Sequence, residues 1–407
     1  MKNSANRYKP IPILDSKFDL DSMSIASPDC DAKESELNAV YAFLASYDGS
    51  TPTVNSYRRE LERLLQWTWH VQSTSLFELN RTDIELFIKF CVSPPLSWIG
   101  FKNVSRFIDK HGARSPNKDW RPFVFKQPKN NDSVELDKKH YKPSQASIKA
   151  IFTCLSSFYQ YLYEEKLVES NPVKLIRQKS KFLKTDQNES PVRRLSPLQW
   201  DYVFQTAEKM ASDSPCEHER TLFVLTCLFA MYLRISELVA DERSEPVMGD
   251  FQKDLDGNWW FNVTGKGNKD RSITVSDDML RALKRYRKAR DLSPLPLPNE
   301  QICLVPKLRG IGPLTSARHI RLIVQSCFDA AFATMKGDGL AADADELRVA
   351  TVHWLRHTGI SEDVKFRPRE HVRDDAGHAT MATTDRYIDS GKRERHQSGK
   401  RKQLSDL

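Results

Sequence analysis

Four short stretches in the second half of this 407-residue chain carry side chains able to act on an anionic substrate. The first, Arg234-Ile235-Ser236-Glu237-Leu238, follows thirteen uncharged residues from Thr221 to Leu233. An arginine there sits at the rim of a core, with Glu237 placed to hold its guanidinium and outer donors left over. A plain structural ion pair is the competing reading. The second stretch is Gly265-Lys266-Gly267-Asn268-Lys269-Asp270-Arg271, where Gly and Asn suit a tight turn. It lacks the later glycine of a dinucleotide fingerprint and the Lys-Ser/Thr of a phosphate-binding loop, so it reads as a hairpin tip. In the third, Val352-His353-Trp354-Leu355-Arg356-His357, His353 and Arg356 share a helix face. His353 and His357 have the spacing of a zinc pair, but Trp354 stands where an HExxH motif needs glutamate, and no third ligand is evident. No metal site is expected. The fourth is Gly377-His378, followed nine residues after the histidine by Tyr387, which taken alone would be a half-buried packing aromatic.

The order of these pieces says more than any one of them. Arg234 is followed after 32 residues by Lys266, after 87 more by His353-x-x-Arg356, 22 past that arginine by His378, and nine later by Tyr387. This pattern, with the strings Arg-Ile-Ser-Glu-Leu, Gly-Lys-Gly-Asn-Lys and Leu-Arg-His-Thr, resembles the tyrosine recombinase (phage integrase) family. The resemblance covers 190–390 closely and 35–178 only in outline, as a helical DNA-binding domain. It departs at Arg367–Ala376, a charged stretch where relatives carry a more apolar helix. The segment before the first helix is short for an additional arm-binding domain, so control by arm sites is not expected.

The resemblance implies a mainly α, two-domain DNA clamp with a small β-hairpin or sheet in its catalytic domain. It implies a site-specific recombinase that cuts and rejoins strands through a 3′-phosphotyrosine, integrating or excising a mobile element. Arg234, Lys266, His353, Arg356, His378 and Tyr387 would be catalytic, with Glu237 in support. Two guanidiniums can fork onto the non-bridging phosphate oxygens while the histidines add donors, so no metal, ATP or other cofactor is called for. Lys266 would protonate the departing 5′-oxygen. The implied partner is double-stranded DNA carrying a specific site, bound by a homotetramer across two sites that is monomer or dimer in solution. A Xer-like dimer resolvase and a type IB topoisomerase-like enzyme share this chemistry. A catalytically silent DNA-binding regulator is the rival of another class, although a protein that only binds has no use for the tyrosine.

Helices must position these groups, and the patterning supplies them. Ser35–Tyr47 and Val54–Val71 are amphipathic, the latter with Tyr57, Leu61, Leu64 and Leu65 on one face. Asn80-Arg-Thr-Asp offers an N-cap for Ile84–Val92, and Ser147–Leu167 carries Ile148, Ile151, Phe152, Leu155, Phe158, Tyr159 and Leu162 as one continuous stripe. Ser196-Pro197 starts Leu198–Ser212, and Glu217–Leu233 is a buried helix. A hairpin pairs Asn258–Val263 with Arg271–Val275, and Asp277–Arg290 is helical. The expected organisation is a mobile extension 1–34, a DNA-binding domain 35–182, a catalytic domain 183–390 and a basic tail 391–407, either solvated or docking on a neighbouring subunit.

Composition sets the class. Charged residues make up 29% and net charge is +8, which favours polyanionic partners. The excess is local: residues 101–150 hold twelve Lys/Arg against five Asp/Glu, whereas 11–50 hold two against eight. The stretch 93–143 interleaves that charge with Trp98, Phe101, Phe107, Trp120, Phe123 and Phe125, and is either a DNA-facing insertion or a satellite core. Lys102, Arg106, Arg114 and Arg121 are its candidate phosphate contacts, joined by Lys269 and Arg271 at the hairpin. Seven cysteines without a CxxC pair fit reduced, buried thiols. No run approaches the ~20 apolar residues of a bilayer span and no secretory signal is readable, so a cytoplasmic protein is expected.

Overall fold

The computed structural model describes residues 8–15, 30–47, 51–110, 113–125, 137–174, 176, 193–242, 244–265, 270–387 and 400. It divides into two compact units, Met1–Glu189 and Ser190–Leu407.

Among the described residues the first unit has four α-helices, α1 (Cys30–Ala45), α2 (Thr51–Trp67), α3 (Arg81–Val92) and α4 (Gln145–Glu164). Asn80 starts α3 with a reciprocal capping box: its side chain accepts from the Thr82 and Asp83 amides, and Asp83 accepts from the Asn80 amide. All seven apolar residues of the α4 stripe are buried. The Tyr159 hydroxyl donates to the Leu76 carbonyl at 2.9 Å, which satisfies its polar end inside that core. The basic aromatic stretch forms a two-residue parallel pair, β1 (Ile99–Gly100) with β4 (Phe123–Val124), and a hairpin of β2 (Phe107–Lys110) with β3 (Ala113–Pro116). Trp98, Ile99 and Phe123 enter the unit's main core. Arg63 on α2 pins this stretch, donating to the Pro122 carbonyl and lying over the Phe123 ring.

Part of the expected mobile extension is held in place. Residues 8–15 lie along α2, where the buried Glu62 carboxylate accepts from the Ile13 and Leu14 amides and the Gln66 amide group donates to the Ile11 carbonyl. Leu14 is fully buried there. A buried carboxylate needs donors, and this segment's backbone supplies them.

The second unit holds α5 (Pro197–Asp213), α6 (Pro215–Ala230), α7 (Asp277–Lys288), α8 (Ala317–Gly337), α9 (Ala341–Arg348), α10 (Val352–Asp363), α11 (Arg369–Ala376) and α12 (Met381–Asp385). Ser196 and Gln199 form a capping box around Pro197 at the first position of α5. The sheet has three strands, β5 (Phe251–Lys253), β6 (Trp259–Thr264) and β7 (Asp270–Thr274), all antiparallel. The foreseen hairpin pairs Phe261 with Ile273 and Val263 with Arg271. The edge strand β5 is not foreseen, because three residues carry no readable alternation.

α6 ends at Ala230, three residues before the expected Leu233. The chain then turns through Tyr232, whose φ of 51° lies in the left-handed region, and Arg234 opens a single 3₁₀ turn at Ile235–Leu238. The Tyr232 ring thereby enters a small cluster with Ile360, Val372, Ala376 and Tyr387. α10 crosses α6 closely at Gly359, where a Cβ would lie 2.0 Å from the Phe229 carbonyl oxygen. Among the described residues no helix is long and apolar enough to cross a membrane.

Candidate active site

The site gathers the turn after α6, the start of β7, the face of α10 and the segments after α11 and α12. Arg234 is fixed at three points. Its amide donates to Glu237 Oε2 at 2.7 Å, its Nη1 to Oε1 at 2.9 Å, and its Nη2 to the Gly377 carbonyl at 3.1 Å. Glu237 is 6% exposed. Burial would raise its carboxyl, but Arg271 and Arg234 overcome that and hold it below the usual range.

Arg271 differs from its expected role. Placed on DNA by its position beside a basic hairpin tip, it instead turns inward, forks onto Glu237 and donates from Nε to the Asp375 carbonyl. A buried carboxylate beside one arginine leaves oxygens to satisfy, and the second guanidinium satisfies them.

Arg356 on α10 is buried at 5% exposure and donates to the Tyr232 and Ala376 carbonyls. Burial and the nearby Arg234 lower it to about 10, leaving it charged at neutral pH. His353, exposed one turn earlier on the same helix, is lowered by partial desolvation and by Arg356, Arg321 and Arg234.

Gly377 ends α11 with φ of 63°, and an added Cβ would lie 3.0 Å from Arg271 Cδ. Only glycine suits both conditions, and the turn it makes delivers His378 to the site. His378 Nδ1 lies 2.9 Å from the Thr384 hydroxyl, and burial together with Arg356 and Arg234 lowers it to about 4. Its ring stacks on Tyr387 at 5.6 Å with planes 16° apart.

Tyr387 is 7% exposed. Burial raises its phenol, opposed by Arg356, Arg386 and Arg234. Its hydroxyl lies 2.7 Å from Nδ1 of His357, which the sequence presents as half of a failed zinc pair and within the string Leu-Arg-His-Thr, with no role assigned. The available signal was its place on α10, one residue past Arg356 and one turn past His353.

The charged stretch Arg367–Ala376 packs through ions as well as apolar groups. Arg367 donates to Asp375, Asp363 and the Tyr232 hydroxyl, and Tyr232 donates to Asp363. Asp375 also accepts from the Thr274 amide, tying α11 to β7. Val372 and Ala376 supply the buried apolar face.

Lys266 and Lys269 lie outside the described residues; the strands on either side of them pair as far as Thr264 and Asp270. The proposed phosphate contacts of the first unit fall into two groups. Arg106 pairs with the buried Glu62 and lies over Trp120. Arg114 pairs with Asp15 and Asp109, and Arg121 donates to the Lys118 and Trp120 carbonyls. Lys102 is exposed.

No family model matches the chain. Over 150 residues it is 28% identical to tyrosine recombinase XerC of Chlorobaculum parvum, spanning 35% of this chain and 42% of that protein. Over 243 residues it is 26% identical to tyrosine recombinase XerD of Rickettsia bellii, spanning 59% of this chain and 72% of that one. The chain thus spans less than half of the first relative's length and nearly three quarters of the second's. Its fold is similar to XerH site-specific recombinase bound to a palindromic difH substrate in a post-cleavage complex, with TM-score 0.56 and 15% identity over 90% of this chain and 84% of that one.

Proposed function

We propose that the chain, which is similar to tyrosine recombinases XerC and XerD, is a site-specific DNA recombinase of that family that cuts and rejoins strands through a 3′-phosphotyrosine on Tyr387. The observation that carries this reading is a buried phenol set in the field of Arg234 and Arg356, with His378 stacked on its ring. A tyrosine has a reference pKa near ~10, so attack on phosphorus near neutral pH needs cationic surroundings.

Arg234 and Arg356 are fixed by carbonyls and by Glu237 and keep unused N–H donors. Those donors would fork onto the two non-bridging oxygens of the scissile phosphate and stabilise the charge that grows there. His353 and His378 would add hydrogen bonds to the same oxygens. Oη of Tyr387 bonds to phosphorus as the bond to the 5′-oxygen breaks, and Lys266 protonates that oxygen. Attack by a 5′-hydroxyl of a partner strand reverses the steps and restores the tyrosine. The energy of the phosphodiester is kept in the phosphotyrosine, so neither ATP nor metal is consumed.

The substrate is a specific duplex site in cytoplasmic DNA, engaged by a homotetramer across two sites, and the outcome is integration or excision of a mobile element. The test is exchange itself. A binding site is selected from a randomised duplex pool with the Tyr387→Phe protein, and two direct copies are placed on a plasmid. The wild-type protein, without ATP, should release the intervening segment as a circle. Tight binding without exchange would instead identify a DNA-binding regulator.

A further inference from the structure

We infer that His357 is the base that takes the phenolic proton of Tyr387 as its oxygen attacks the phosphate. The inference rests on the recombinase reading above and adds to it a group which that reading does not use.

Among the described residues three histidines lie around the tyrosine, and geometry separates them. His378 presents its ring face to Tyr387, with planes 16° apart, and its Nδ1 is engaged by the Thr384 hydroxyl. Imidazole lone pairs lie in the ring plane, so a stacked ring aims none of them at the phenol. His353 is one turn away and exposed, its ring centre 6.1 Å from that of His357. His357 alone among the three has a ring nitrogen on the hydroxyl, at 2.7 Å, with the two rings inclined by 42°. That distance is within reach for proton transfer in a single hydrogen bond.

The surroundings suit an acceptor. Burial, His353, Arg356 and Arg386 lower His357 to about 4, so near neutral pH the imidazole is uncharged and can receive the proton. It accepts at Nδ1 when its own proton sits on Nε2. A base with so low an affinity in the free protein is weak, but the scissile phosphate would bring negative charge between Arg234 and Arg356. That charge offsets the cations that disfavour imidazolium, so proton affinity rises when DNA is in place.

The proton balance closes. The Oη–H proton passes to His357 Nδ1 as the Oη–P bond forms, and the P–O5′ bond breaks with that oxygen taking its proton from Lys266. On resealing, the incoming 5′-hydroxyl returns a proton to Lys266, and imidazolium returns one to the tyrosine oxygen.

The experiment follows adduct formation on a nicked duplex carrying the selected site, with single-turnover rates for the wild type and each variant. His357→Ala should slow the adduct by roughly 10²–10⁴-fold, the range of general base catalysis. His357→Asn, which can still hydrogen-bond but cannot accept a proton, should stay slow. Placing a ring-fluorinated tyrosine, whose phenol ionises near neutral pH, at position 387 should restore the His357→Ala rate but leave Arg356→Ala slow. The groups that face His357 and enter its pH profile are His353, Arg356, His378, Arg386 and Tyr387. Through them the rate of His357→Ala should climb with alkalinity toward phenol ionisation, while the wild-type rate stays flat near neutral pH. Wild-type speed in His357→Ala, recovery in His357→Asn, or no rescue by the fluorinated ring would overturn the inference and leave the recombinase reading standing. Absence of any Tyr387-dependent adduct in the wild type would remove that reading itself.

Discussion

Arg271 closes two hydrogen bonds on Glu237, 2.9 Å from Nη1 to Oε1 and 2.8 Å from Nη2 to Oε2. The same carboxylate also holds Arg234, so one buried anion orients a proposed phosphate ligand from one side and is itself held from the other. Removing Arg271 leaves that anion only half compensated. Arg271→Ala should cost ~3–5 kcal/mol of stability, as for other buried pairs broken on one side.

The pH dependence follows from the lowered Glu237 carboxyl. A carboxyl held below its ordinary value in the folded state contributes stability that is complete above that value and is lost as pH falls through the folded value. The Tm gap between wild type and Glu237→Gln should therefore be widest near neutral pH and shrink below about pH 4.5, the ordinary glutamate range. A gap that stays constant down to pH 3 would mean that Glu237 is not held as its contacts indicate.

Within the first unit, internally paired and exposed cations should behave differently. Arg106 pairs with Glu62 and covers Trp120, so Arg106→Ala should lower Tm. Lys102 is exposed, so Lys102→Ala should leave Tm unchanged and reduce the slope of log K against log salt by about 1 if it meets a phosphate. A slope unaltered by Lys102→Ala would remove it from the DNA interface.

Lys266, proposed as the acid that protonates the leaving 5′-oxygen, makes a prediction that a phosphate-clamping lysine does not. A 5′-bridging sulfur departs readily as thiolate. Lys266→Ala should cleave ordinary DNA ~10²–10⁴-fold more slowly but the sulfur-substituted strand at close to the wild-type rate. If sulfur fails to rescue it, the acid is another residue, with Lys269 the next candidate.

Charge stabilisation by arginine should be insensitive both to sulfur and to chelation. Arg234→Ala should lose roughly 10²–10³ in cleavage rate on either substrate, and the wild-type rate should survive excess EDTA. Loss of wild-type cleavage in EDTA with recovery on adding Mg²⁺ would assign the charge to a metal instead.

Much of the scaffold was legible because its signals are local. Asn80 with Asp83, and Ser196 with Gln199, are capping boxes written within four residues, and the α4 stripe needs only a helical period. What escaped reading depends on contacts far apart in the chain. Nothing near Arg271 shows that a buried carboxylate 34 residues earlier will claim it. The early end of α6 comes from Tyr232 turning its ring toward Ile360 and Tyr387, more than 120 residues away. The spacing of His357 from His353 points to zinc, while its actual neighbour lies 30 residues on.

Tyr387 as the nucleophile is the centre of the account, and a nicked suicide duplex carrying the selected site tests it most directly. Escape of the short 5′ fragment should trap a covalent protein–DNA adduct, and peptide mapping should place the phosphate on Tyr387, with Tyr387→Phe forming none. A gel-stable adduct in the phenylalanine protein, or a phosphate mapped to any other residue, would contradict it.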